Sequence, residues 1–99
     1  MDSGNVFPDR NPFIDNQFPS FILRTFHKNV SEDSLSWHKD EFDRNVKVIS
    51  GFGWKLQMDN NIPVDLSPGD TLKISKNIFH RIIKSGNESS LVLKIYEKK

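Results

Sequence analysis

Between Phe21 and Tyr96 the chain divides into short apolar, β-branched or alternating runs, separated by clusters of Gly, Pro, Asn, Asp and Ser. Side chains along a strand point to opposite faces in turn, so a two-residue alternation is what a half-buried strand requires. No window of about 11 residues shows the 3.6-residue period of an amphipathic helix. The pattern predicts roughly seven to nine short strands and little helix, hence an all-β sandwich or barrel.

The expected strands are 21–27, 34–39, 46–50, 54–58, 62–66, 71–74, 79–84 and 91–96, with 40–45 a loop or a twisted continuation of a strand. Pro63 marks 62–66 as an edge strand, because proline has no N–H to give a central ladder. Turns are expected at Asn29–Asp33, Gly51-Phe52-Gly53, Asp59-Asn60-Asn61, Ser67-Pro68-Gly69-Asp70, Ser75–Ile78 and Ser85–Glu88. Residues 1–19 differ in character: Phe7-Pro8, Asn11-Pro12 and Phe18-Pro19 break regular structure, which predicts an irregular arm ahead of a single domain at 20–99. Phe7, Phe13, Ile14 and Phe18 make the arm too apolar to be a free tail, so they are expected to pack against the barrel or a second subunit, and a homodimer is expected.

At 99 residues the core must be filled by large side chains, and eight Phe, two Trp and one Tyr provide them. Trp54, Leu56 and Met58 share one face and are expected to line the interior, with Trp54 a candidate wall of a ligand cavity. Trp37 is expected in the core or at a dimer interface. The absence of cysteine excludes disulfides and thiolate metal sites, so any metal must be held by His, Asp or Glu. A net charge of +1 gives no field that would draw in nucleic acid. No apolar run approaches the ~20 residues of a membrane span, and the first residues lack a signal-peptide pattern, so a soluble cytoplasmic protein is expected.

Chemistry is concentrated in Trp37–Gly51, where His38, Asp40, Glu41, Asp43 and Arg44 precede an alternating strand, and in Gly69–Arg81, which carries His80. His27 lies mid-strand and is expected at the surface or the core edge. Arg81 should face away from His80 and form an exterior ion pair. No glycine-rich phosphate loop, Ser-His-Asp arrangement or cysteine nucleophile is present.

These two stretches resemble the paired motifs of the cupins, G-x5-H-x-H-x3/4-E-x6-G and G-x5-P-x-G-x2-H-x3-N. In the second, Gly69 and His80 match, Ser75 stands for the proline, Asn77 for the glycine and Lys84 for the asparagine. Asn tolerates the positive φ that the glycine position needs. In the first, Glu32 takes the place of the opening glycine, His38 of the first histidine, Asp40 of the second and Arg44 of the glutamate, and Gly51 closes the motif. The 17 residues between Gly51 and Gly69 are a short connection similar to that of small bacterial or viral single-domain cupins.

The resemblance covers about residues 20–96 and implies a double-stranded β-helix, the cupin jelly roll, with a polar site in its lumen. It also implies one divalent metal on His38, Asp40 and His80, a two-histidine, one-carboxylate set that suits Fe, Mn, Ni or Zn. Asp43 is an alternative to Asp40. Arg44, a permanent cation where the family has an acidic ligand, opens a second reading. In the first reading the protein is a metal-dependent enzyme, an oxygenase or isomerase, with Arg44 orienting an anionic small-molecule substrate. In the second, His38, Asp40, Arg44 and His80 form a metal-free polar plug or a cradle for a small anionic ligand, and the protein is a non-catalytic binding module.

Overall fold

A computed structural model describes residues 12–86 and 88–99. Eight strands follow one another: β1 (Phe13–Gln17), β2 (Ile22–Phe26), β3 (Asp43–Ser50), β4 (Trp54–Met58), β5 (Val64–Asp65), β6 (Thr71–Ile74), β7 (His80–Lys84) and β8 (Leu91–Lys98). Among the described residues there is no α-helix, only a 3-10 turn at Glu32–Ser34. The strands form two antiparallel sheets in the orders β1-β2-β8-β3-β6 and β5-β4-β7. The fold is the expected all-β jelly roll.

Alternation explains what lies between the sheets. Phe26 of β2, Val46 and Val48 of β3, Ile74 of β6 and Leu91, Leu93 and Ile95 of β8 are buried on the larger sheet. Trp54 and Leu56 of β4 and Ile82 of β7 meet them from the smaller one, with Met58 partly buried against the same cluster. Each such side chain contributes about 1.5–3 kcal/mol when fully buried. Chain reversals rest on residues that accept positive φ. Gly51 has φ +119°, and a Cβ there would lie 2.7 Å from the Ser90 carbonyl oxygen and 2.9 Å from Leu91 Cα, so no larger residue fits. Asn77 has φ +62°, as its place in the second motif requires.

Three expectations are corrected and one is narrowed. Residues 34–39 do not form a strand: the Ser31 hydroxyl accepts from the Asp33 N–H, the chain turns, and only His38 bridges to β7. A serine bonding its own backbone neighbourhood competes with ladder pairing. Of the two places expected for Trp37, the core is excluded: it is 40% exposed, its ring lying 4.7 Å from the Arg81 guanidinium. Arg81 donates Nε–H to Gln57 Oε1, so its partner is an amide and not a carboxylate. Part of the segment read as irregular is regular, since Phe13–Gln17 pairs with β2 in a register that sets Asp15 against Arg24. Residues 1–11 of the arm, with Phe7, fall outside the described residues, and Phe18 stacks on Phe21 with ring centroids 4.6 Å apart. As expected, β5 is an edge strand, and it shrinks to two residues after Pro63.

Candidate functional site

His38 and His80 are joined through their backbones before their side chains meet. The His38 N–H donates to the His80 carbonyl (3.0 Å) and the His80 N–H to the His38 carbonyl (2.8 Å). Two residues on, the Asp40 carbonyl accepts from the Asn77 N–H at 2.7 Å, which ties the 38–40 segment to the turn before β7. The imidazoles pack edge to face with centroids 4.3 Å apart. One ligand atom each from His38, Asp40 and His80 lies within 4.8 Å of the others, a His-His-Asp group that could hold a metal.

The hydrogen bonds decide which nitrogens are available. His38 Nδ1 lies 3.2 Å from the Ser36 carbonyl oxygen, and His80 Nδ1 lies 2.9 Å from that of Ile78. A carbonyl oxygen can only accept, so Nδ1 is the protonated nitrogen in both rings and each neutral imidazole carries its lone pair on Nε2. His80 Nε2 is 3.4 Å from Asp40 Oδ2, a buried oxygen with no hydrogen-bond partner. An imidazole nitrogen and a buried carboxylate oxygen thus face one another, and the oxygen, which accepts no hydrogen bond among the described residues, is ion-paired with Arg44 Nη1 at 3.2 Å. The donor set fits a divalent transition metal.

Burial holds the His80 pKa below its ordinary value, with the nearby His38 and Arg44 acting the same way, against the bond to Ile78 and the Asp40 charge, which raise it. His80 is therefore neutral at neutral pH. Because its folded pKa lies below its unfolded one, the unfolded chain binds the proton first as pH falls. Stability from this group is complete above about pH 6.5 and is lost as pH falls through the lowered value. Metal-free protein is expected to show a melting temperature that declines on acidification in that range, and His80→Asn should flatten that decline.

Arg44 sits on the inward face of β3, its side chain 12% exposed. It donates Nε–H (3.0 Å) and Nη2–H (2.6 Å) to Glu97 Oε2, while Nη1 lies 3.2 Å from Asp40 Oδ2. Sequence reasoning missed Glu97. Its signal was parity: it continues the inward series Leu91, Leu93, Ile95 along β8, and β8 sets it opposite Arg44.

Two residues proposed from sequence do not join the group. Asp43 accepts from the Lys76 N–H at 2.8 Å, and strand alternation places it on the opposite face from Arg44. Trp54 is 1% exposed, packs on Phe26 and donates its indole N–H to the Ser89 carbonyl. It pairs with Lys84, four residues along β7 from His80, or roughly 13 Å at strand rise. His27 is half-buried, its Nδ1 accepting from the Asn29 N–H.

Beside the group lies a cavity of about 300 Å³, lined by His38, Asp40 and Arg44 together with Phe13, Arg24 and Leu35. A void of only about 30 Å³ lies further in, so the core beneath the group is nearly filled. Ligands have room on the outer side.

No protein-family model and no curated sequence matches the chain. Solved structures do, at low identity. A cupin superfamily protein from Desulfitobacterium hafniense DCB-2 is 20% identical over 91% of this chain and 81% of that one, with a TM-score of 0.64. KdgF from Halomonas sp. is 18% identical over 85% of this chain and 75% of that one, with a TM-score of 0.60. The chain also matches a structure of the DMSP lyases RdDddP and RnDddQII (15% identity, TM-score 0.66), covering 80% of itself but only 37% of that chain. Two antiparallel sheets in jelly-roll arrangement, glycine and asparagine at the motif turns, and neighbours of this kind lead to one conclusion: this chain has the cupin fold.

Proposed function

We propose that this protein is a metal-binding cupin in which His38 Nε2, His80 Nε2 and an Asp40 oxygen hold one divalent transition metal and leave positions open to a small molecule in the adjoining cavity. The observation that carries the reading is the pair of backbone carbonyls, of Ser36 and Ile78, that accept from Nδ1 of both imidazoles and leave Nε2 as the ligand nitrogen beside the buried Asp40 carboxylate. Histidine ligands are commonly oriented in this way by a bond from their second nitrogen. When bound, the metal supplies a Lewis acid.

Arg44 does not speak against this site as strongly as its sequence position does. Glu97 takes two of its nitrogens, so the carboxylate that the family places at position 44 is in effect replaced by a neutralised Arg44–Glu97 pair. Within the metal-free reading, Arg44 as the cradle of an anion has less support than the polar plug, because all three of its nitrogens already face protein carboxylates.

Equilibrium dialysis against Fe(II), Mn(II), Ni(II) and Zn(II), on protein purified without a metal-affinity step, tests the reading. About one equivalent bound and a raised melting temperature are expected, since a ligand of the folded state stabilises it. Less than about a tenth of an equivalent of every metal, with no thermal shift, overturns it.

A further inference from the structure

We infer that the cavity beside His38, Asp40 and His80 receives a small carboxylate ligand, and that Arg24 is the residue that holds its charged end; this rests on the proposed metal centre's cavity being the ligand site. Arg24 lies in the middle of β2 and lines the same cavity as the His-His-Asp group. It is only 9% exposed, a position where a guanidinium is retained only if its charge and donors are met.

Most of that requirement is met on one side. Asp15, its register partner on β1, accepts from Nε at 2.7 Å and from Nη2 at 2.8 Å. The Phe13 ring covers one face of the guanidinium, its centroid 3.6 Å from Cζ. This bidentate bond and stacked ring fix the plane of the group, and they leave Nη1 without an acceptor among the described residues. Arg44, the other arginine at the cavity, has every nitrogen facing a carboxylate. Among the described residues lining the cavity, the cation with a donor to spare is therefore Arg24. The resemblance to the cupin motif drew attention to Arg44 instead.

The rest of the lining defines the ligand's body. Phe13, Phe26, Leu35 and Ile82 are apolar, and about 300 Å³ is at the small end of ligand pockets. A compact apolar acid fits this lining, with its carboxylate on Arg24 and the remainder reaching toward His38 and Asp40.

The test compares benzoate and 3-methylbutanoate with their uncharged amides, benzamide and 3-methylbutanamide. Binding is measured by calorimetry on chelator-treated and on metal-loaded protein. The acids are expected to bind about tenfold or more tighter than the amides in both forms, the difference expected of a charge-assisted hydrogen bond. The preference should vanish in Asp15→Asn/Arg24→Gln, which removes both charges so that neither is left buried alone. Near-ultraviolet circular dichroism checks that this variant is folded. The assigned Arg24 Nε–H resonance of the unmodified protein gives a readout independent of any variant: it should move with benzoate and stay in place with benzamide. Equal affinity for acids and amides, no binding of either, or an acid preference that survives in the double variant overturns the inference. A failure of the metal reading shows separately in the dialysis, because the acid preference is also measured without metal.

Discussion

Exchanging His80 for alanine is expected to abolish metal binding while leaving a folded barrel. The loss should exceed the roughly 10–100-fold that removal of an outer hydrogen-bond partner costs a metal site, because a ligand itself is gone. The barrel should survive because the bridge between His38 and His80 runs through backbone N–H and carbonyl groups, which alanine retains. His38→Ala should give the same loss. Asp43→Asn should not, since the Asp43 carboxylate is spent on the Lys76 N–H. Dialysis gives metal content and circular dichroism gives the fold. A folded His80→Ala protein that still binds a full equivalent would remove His80 from the site. An insoluble one would show that its main role is structural.

Much of this arrangement is legible in the sequence, for physical reasons that differ from residue to residue. The β strands can be read because alternation repeats at β3, β4, β7 and β8, with glycine or asparagine where the turns demand positive φ. Strand β1 is hidden because Pro12 and Pro19 flank it closely, yet neither lies within the strand, so neither removes a ladder donor. The expected turn at Asn29–Asp33 extends to Ser34, and the failure of 34–39 to form a strand is hidden because aromatic and apolar content around Trp37 suggests one. His38, Asp40, Arg44 and His80 emerge from the resemblance to the two cupin motifs. What spacing could not give was their long-range company: Glu97 is 53 residues from Arg44, and Asp15 reaches Arg24 only because two strands pair. Alternation could have excluded Asp43, which neighbours Arg44 and so must face the other way.

Glu97 is where the second large effect should appear. Its side chain is 16% exposed and that of Arg44 12%, so the pair is mostly withdrawn from water. Removing one member of such a pair leaves an uncompensated charge and destabilises by about 3–5 kcal/mol. Glu97→Leu is expected to reach the lower part of that range, because Asp40 remains beside Arg44 Nη1. At roughly 4–8 °C per kcal/mol for a domain of this size, the melting temperature should fall by more than about 10 °C. Metal binding should weaken as well, since without Glu97 the Arg44 charge is balanced only by the Asp40 oxygen that His80 faces, which Nη1 already contacts at 3.2 Å. The double variant Arg44→Met/Glu97→Leu separates the two effects. With no charge stranded, it should recover most of the stability, because replacing a whole buried pair by apolar side chains is often neutral or better. Its metal affinity should rise above that of the unmodified protein, since Asp40 no longer shares its oxygen with a cation. Urea denaturation and metal titration measure the two quantities on the same samples. If the single variant changes stability by less than about 0.5 kcal/mol, the change is no larger than an ordinary surface substitution produces. Solvent would then already screen the pair, and Glu97 would not be what makes a cation tolerable beside the His-His-Asp group.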